Sequence, residues 1–89
     1  MIIYIVCEEG LNKSVLIHGV YKNKGKAIKK AKLLMQQMKD KKLYIDCKVR
    51  NKKNPFKKNN CVNFYRNEEG HEKESATSSV ILEKTRLIA

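Results

Sequence analysis

The sequence predicts an α+β fold in which one amphipathic helix packs on one face of an antiparallel or mixed sheet. Residues 22–42 carry a helical apolar period, and short apolar or alternating runs of strand length lie on both sides of them. Turn-forming clusters separate these runs. The predicted element order is β-β-α-β-β-β, and we expect residues 1–89 to form a single small domain.

The helix predicted over residues 22–42 is the element that organises the rest of the chain. Its apolar side chains recur at steps of one, three and four and form one stripe, made of Ala27, Ile28, Ala31, Leu34, Met35 and Met38. Asn23 can cap the helix start, because its side-chain oxygen accepts a hydrogen bond from an unpaired backbone N–H group. The opposite face is mainly lysine, so the helix has a core face and a basic face.

Two apolar strands are predicted before the helix. Residues 2–7 form an almost wholly apolar run, which is typical of a strand covered on both faces, and Glu8-Glu9-Gly10 would form the next turn. Residues 14–21 form the second strand. Because one helix covers only one face of these strands, we expect a homodimer, or a tight complex, to cover the other.

Three further strands are predicted after the helix. Residues 43–50 alternate strictly, which places Cys47 on the apolar face of a third strand. Asn54-Pro55 indicates a turn, and residues 61–66 form a fourth strand with Val62 and Phe64 on one face. Residues 67–79 are predicted to be a long, mobile, mildly acidic loop. Residues 80–88 form the last strand, with a short helix as the alternative.

The charge of the chain is concentrated in its middle. The formal net charge is +11, and residues 22–58 hold fifteen basic against two acidic residues, a local excess of +13. Such a distribution favours an anionic partner, most often nucleic acid. Only Arg50, Arg66 and Arg86 are arginine. Since arginine is the preferred residue for bidentate contacts, the lysine bias argues against sequence-specific recognition. An A/T-rich coding sequence would also produce this bias without selection for binding.

Two basic stretches are candidate binding sites. The helix start carries Lys24, Lys26, Lys29 and Lys30 beside N–H groups at the positive end of the helix dipole. The predicted tip of the hairpin between strands three and four carries Lys48, Arg50, Lys52, Lys53, Lys57 and Lys58, with Phe56 exposed among them. A basic arm of this kind can follow a nucleic-acid backbone and insert or stack its aromatic ring. The alternatives are a solvated lysine face and an ordinary hairpin whose Phe56 folds back on the sheet.

One resemblance covers residues 1–40. Tyr4-Ile5-Val6, then residues 17–21 (IHGVY), then Asn23 and Ala27 resemble the small hairpin-plus-helix domains of bacteriophages and large DNA viruses. The resemblance implies an accessory protein that acts on host machinery or defence, and it supplies no catalytic residues. Those domains commonly have Glu in the first helical turn, where this chain has Gly25-Lys26.

The cysteines and histidines do not form a recognisable metal or catalytic motif. Cys7, Cys47 and Cys61 are odd in number and lack CxxC spacing, which is typical of a reduced intracellular protein. Together with His18 and His71 they could meet around zinc, but no pair has ligand spacing. We expect Cys47 and His18 to be structural residues, and we expect no metal site.

A second resemblance bears on whether the chain is an enzyme. Residues 3–5 (IYI) and 19–21 (GVY) resemble the paired strands of GIY-YIG nucleases. Those nucleases need a helix arginine and a later glutamate, whereas this helix has only lysines and the second motif is reversed in order. The acidic pairs Glu8-Glu9 and Glu68-Glu69 fall in a predicted turn and a predicted loop, so neither is pre-organised for acid–base chemistry. We therefore expect no catalytic residues and no cofactor.

The expected function is that of a small non-enzymatic binding module. No apolar run reaches the length of a membrane span, and the N-terminal stretch lacks the features of a signal peptide. We expect an intracellular protein, located in the host cytoplasm or nucleus if viral, which binds nucleic acid or another anionic partner without sequence specificity. Two alternatives stay open. One is a protein–protein interaction module that inhibits a host or defence factor, and the other is binding of a phosphorylated small ligand at the helix start.

Overall fold

A computed structural model describes residues 1–68 and 75–87 and confirms the predicted α+β class. Within these ranges, five antiparallel strands form one sheet, and one α-helix packs against it. The elements are β1 (Ile2–Gly10), β2 (Val15–Tyr21), α1 (Lys24–Asp40), β3 (Tyr44–Ile45), a short 3₁₀ helix (Pro55–Lys57), β4 (Cys61–Tyr65) and β5 (Ser78–Arg86). The spatial order of the strands is β2-β1-β5-β4-β3.

Helix α1 has the predicted cap and the predicted core face. The Asn23 side-chain oxygen accepts a hydrogen bond from the backbone N–H of Lys26 at 3.1 Å. The buried residues are Ala27, Ala31, Leu34, Met35 and Met38, and Ile28 is half-buried. Lys42 adopts a φ of 64°, and Leu43 donates its backbone N–H to the carbonyl of Met38, so the chain reverses directly after the helix.

The core is a single layer between α1 and one face of the sheet. Its sheet side consists of Val6, Val62, Phe64, Val80 and Leu82, all of them buried. Val6 lies opposite Leu82, and Val62 lies opposite Val80, so these side chains point to the same face. The predicted placement of Val62 and Phe64 on one face is confirmed.

The hairpin of β1 and β2 is longer than predicted. β1 continues through Glu8 and Glu9, so the prediction that these two residues form a turn is wrong. The turn follows Gly10, and the Gly10 carbonyl accepts a hydrogen bond from the backbone N–H of Lys13. A bulge interrupts the pairing of the strands, because Val6 lies opposite Gly19 whereas Cys7 lies opposite Ile17.

The second face of the sheet has no covering element among the described residues. The prediction that a homodimer or a tight complex covers this second face stays a prediction. Side chains alternate between faces along a strand, and directly opposite residues share a face. The strand pairings therefore assign each position to a face. Val6 pairs with Leu82 on the core face. On the other face, Ile5 pairs with Val20, and Cys7 pairs with Ile17 and Ile81. We call the uncovered surface the open face, and its apolar members include Ile3, Ile5, Cys7, Val15, Ile17, Val20 and Ile81.

The third strand is much shorter than predicted, and the hairpin arm is absent. Only Tyr44 and Ile45 pair with β4, because the Asp46 carboxylate accepts a hydrogen bond from the backbone N–H of Lys48 and turns the chain. Val49 packs against the core as the alternation predicts, but Cys47 is exposed, so its predicted core position is wrong.

The predicted exposure of Phe56 is also wrong. Its side chain is only 3% exposed and belongs to the core cluster, together with buried Pro55 in the 3₁₀ helix. This helix lies against β4, whereas α1 lies mainly over β1, β5 and β2. The alternative interpretation, in which Phe56 folds back on the sheet, is correct, although the surrounding chain is a loop and not a hairpin.

The predicted loop at residues 67–79 lies partly outside the described residues, since the structure does not describe 69–74. Its last residues belong to the sheet. Thr77 donates its backbone N–H to the carbonyl of Phe64, and β5 begins at Ser78. Ser79 is buried and donates its hydroxyl to the Asn63 side-chain oxygen at 2.7 Å. Since β5 continues to Arg86, the short-helix alternative for this segment is wrong.

The burial of Phe56 predicts that this side chain contributes strongly to the free energy of unfolding. Replacing Phe56 by Ala should lower the free energy of unfolding by about 3–5 kcal/mol, because it removes a buried aromatic ring and leaves a cavity. Tyr44→Ala is the control, since Tyr44 is 43% exposed. Urea unfolding should show a clearly smaller loss for this control. Equal and small losses for both variants would contradict a core position for Phe56.

A candidate nucleic-acid interface

The loop between β3 and β4 encloses a basic cleft, which we call the loop cleft. Its volume is about 520 Å³. Its lining combines basic and amide side chains, made of Lys48, Val49, Arg50, Asn51, Asn54, Pro55, Lys57, Lys58 and Asn59. Four of the basic residues that were predicted at a hairpin tip therefore do lie together. They are brought together by a folded loop and not by a hairpin.

The loop cleft is held in shape by buried anchors and amide hydrogen bonds. Pro55 and Phe56 fix the middle of the loop to the core. On one side the Asn51 side-chain oxygen accepts a hydrogen bond from the backbone N–H of Asn54 at 3.1 Å. On the other side the Asn59 side-chain amide donates to the Pro55 carbonyl at 2.9 Å. The neighbouring Lys57 remains exposed, so its ammonium group is available to an anion.

One polar atom at the loop cleft has an unmet hydrogen-bonding requirement. The Asn54 side-chain oxygen is buried and has no hydrogen-bond partner among the described residues. A buried acceptor left unpaired costs about 1–3 kcal/mol. This oxygen needs a donor, and a hydroxyl or amino group of a nucleotide is one, whereas an ionised phosphate oxygen accepts hydrogen bonds. Asn54 is one of the residues that line the loop cleft, together with its cations.

A second concave surface joins the loop to helix α1, and we call it the helix groove. It has a volume of about 340 Å³ and is lined by Lys32, Met35, Gln36, Lys39, Lys52 and Lys53. Lys32 and Lys39 are not among the residues that the sequence predicts as binding candidates. Their spacing of seven residues places them on one side of the helix, two turns apart, which is a signal visible in the sequence. What the sequence does not show is that Lys52 and Lys53 lie beside them.

The predicted anion site at the helix start is separate from both concave surfaces. Lys24, Lys26 and Lys29 are exposed, and Lys30 is half-buried. The Asn23 side chain already occupies the N–H group of Lys26, and Ala27 donates its own to the Asn23 carbonyl. A Cβ atom at residue 25 would lie 3.1 Å from the capping oxygen. Gly25 therefore makes room for the cap, which is a structural reason for glycine at this position.

The open face carries thiols with weakened acidity. The pKa of Cys7 is raised above the ordinary thiol value, chiefly by burial and further by the charge of Glu83. The pKa of Cys61 is also raised, chiefly by partial burial and further by Glu9, although a hydrogen bond with Ser79 opposes this shift. Since the thiolate is the reactive form, a raised pKa makes a poorer nucleophile.

Histidine and cysteine side chains in the described ranges do not assemble a metal centre. No group of three or more His, Cys, Asp or Glu side chains there is placed to hold an ion. His18 instead contacts Glu8, with 3.1 Å between its Nε2 atom and a carboxylate oxygen, in agreement with a structural role. His71 lies outside the described residues.

Comparison of the chain with models of known families, with curated proteins and with solved structures finds no match. The resemblance of residues 1–40 to phage and viral domains therefore remains a prediction. Within residues 1–68 and 75–87, no helix is long and apolar enough to cross a membrane.

The thiols provide a test of the open face. At about pH 8, iodoacetamide should modify exposed Cys47 faster than Cys7, because Cys7 is buried and its raised pKa reduces the thiolate fraction. The modification rate of Cys7 should continue to rise with pH above the ordinary thiol value of about 8.5. Peptide mass spectrometry of the native protein measures both rates. Modification of Cys7 as fast as that of Cys47 would contradict the described burial.

Proposed function

We propose that the protein binds the phosphate backbone of nucleic acid, without sequence specificity, through the loop cleft and the helix groove. The observation that supports this most is the convergence of basic residues from two distant segments. Lys32 and Lys39 of α1 line the helix groove with Lys52 and Lys53, and the loop cleft adds Lys48, Arg50, Lys57 and Lys58. Such a concentration of cations attracts polyanions and releases their counterions on binding.

The types of side chain at these surfaces favour backbone contacts. Lysine is a flexible point charge that neutralises phosphate, and Arg50 is the one arginine that lines either surface. Contacts to phosphate position a protein on nucleic acid but do not read its sequence. Because Phe56 is buried, it is not available to stack on an unpaired base. We therefore favour duplex nucleic acid over single strands, in an intracellular setting that the resemblance implies is viral.

The open face favours a second function, which is a protein–protein interface. Val15, Ile17 and Val20 are each more than half exposed there. The described strand positions of this face include Glu9 and Glu83 but neither lysine nor arginine. An apolar surface of this kind suits a host or defence protein, or a second copy of this chain. Binding of a phosphorylated small ligand at the helix start is less favoured, because the Asn23 cap occupies an N–H group that the ligand would need.

The salt dependence of binding tests the nucleic-acid proposal. Replacing Lys57 and Lys58 by Gln should weaken binding to a short duplex and reduce the slope of log K against log salt. The expected reduction is about 0.9 for each phosphate that the variant no longer neutralises. Fluorescence anisotropy between about 50 and 200 mM salt measures it.

The matched control removes the same charge from elsewhere. Lys13 lies in the β1–β2 turn and Lys22 directly after β2, and both are exposed at the opposite edge of the sheet from β3. Replacing these two by Gln should leave the slope nearly unchanged. Equal effects of the two double variants would contradict the loop cleft as the interface. Loss of binding only on replacement of Lys24, Lys26 and Lys29 would assign the anion site to the helix start, and absence of binding by the unmodified protein would favour the protein–protein function.

A further inference from the structure

β2 is an edge strand that has one bulge but lacks the charged residues and proline that commonly protect an edge. It is an outermost strand of the sheet, and its side chains include Val15, Leu16, Ile17 and Val20, which are 57%, 60%, 61% and 56% exposed. The strand Val15–Tyr21 contains no proline, lysine, arginine or carboxylate. Soluble proteins commonly protect an edge with such residues, because its unpaired backbone groups can pair with another strand.

The exposed apolar side chains of β2 lie on both faces of the sheet. Ile17 lies opposite Cys7 and belongs to the open face, whereas Leu16 lies opposite Glu8 and belongs to the helix side. A partner that docked over the open face would cover Ile17 and leave Leu16 in water. A strand added along the edge carries side chains on both faces and covers both residues.

We propose that β2 pairs antiparallel with β2 of a second copy, so that the two sheets join into one. The distribution of charge supports a second copy at this edge. β3 and the basic loop that follows it are at the opposite edge of the sheet. In the joined sheet the two β3 strands would be roughly 40 Å apart at about 4.8 Å per strand, which is several Debye lengths at physiological salt. This edge therefore brings two strongly basic chains together with little repulsion between their loops.

The faces of the β2 side chains, which change phase at the bulge, restrict the register of the pairing. Val15 and Val20 belong to the open face, because they lie opposite Glu9 and Ile5, whereas Leu16 and Gly19 belong to the helix side. Opposite residues must share a face, and the register that pairs Val15 of one copy with Val20 of the other, and Leu16 with Gly19, meets this condition at these positions and overlaps most of the strand. The ring of Tyr21 lies over Gly19, so each leucine would pack against that ring. The two-fold axis is then perpendicular to the sheet, so both α1 helices and both basic surfaces lie on one side.

Sedimentation velocity of matched variants tests this proposal, which does not depend on nucleic-acid binding. Leu16→Lys should reduce the association constant at least tenfold, because it places a charge beside the paired strands. Tyr44→Lys is the control, since Tyr44 is 43% exposed on β3, at the opposite edge of the sheet. It should leave association unchanged. A monomer at all concentrations, or equal effects of both substitutions, would overturn the proposal.

Backbone amide exchange distinguishes edge pairing from docking over the open face, and it uses the unmodified protein. Amides of Val15–Tyr21 should exchange more slowly as the protein concentration rises, since edge pairing gives the outward N–H groups a partner. A dimer whose β2 amides exchange at the monomer rate would overturn the proposal.

Added salt should change dimerisation and nucleic-acid binding in opposite directions, and this difference provides a third test. Lys13 and Lys22 flank the two ends of β2, so antiparallel pairing brings Lys13 of one copy near Lys22 of the other, and added salt should strengthen the dimer by screening their repulsion. Nucleic-acid binding should weaken under the same change. Weakening of the dimer by salt would overturn this register.

Discussion

The fold depends on one constraint, which is that a single 17-residue helix covers only part of one face of a five-stranded sheet. α1 lies over β1, β5 and β2, and β4 needs another cover. Phe56 and Pro55 supply it by packing into the core from the loop between β3 and β4. The same packing curves this loop into the loop cleft and brings Lys52 and Lys53 beside α1. Core closure and the gathering of cations therefore have a common physical cause.

The constraint also leaves two chemically different surfaces. The helix side carries the lysines of α1 and of the loop, whereas the open face is apolar with carboxylates at Glu9 and Glu83. A polyanion is attracted to the first surface and excluded from the second. The exposed edge at β2 lies away from the basic loop, so the proposed assembly and the proposed nucleic-acid binding would not compete for the same residues.

Sequence reasoning succeeded where periodicity alone decides the outcome. The stripe of α1, the Asn23 cap and the alternation of β4 were predicted, because each follows from local spacing. It failed where long-range packing overrides local pattern. Cys47 fits a strand by alternation, but the turn at Asp46 ends the strand first. Phe56 is surrounded by lysines in sequence, and only the gap above β4 explains its burial. The helix groove was missed because its two halves are distant in sequence.

The most direct test of the account is a map of the residues that a short DNA duplex contacts, obtained from amide chemical-shift changes at low salt. The account predicts that the changes concentrate around Lys48–Asn59 and beside Lys32 and Lys39, with few at Ile3, Ile5 and Ile81 on the open face. Shifts concentrated on the open face, with the loop cleft unaffected, would contradict it.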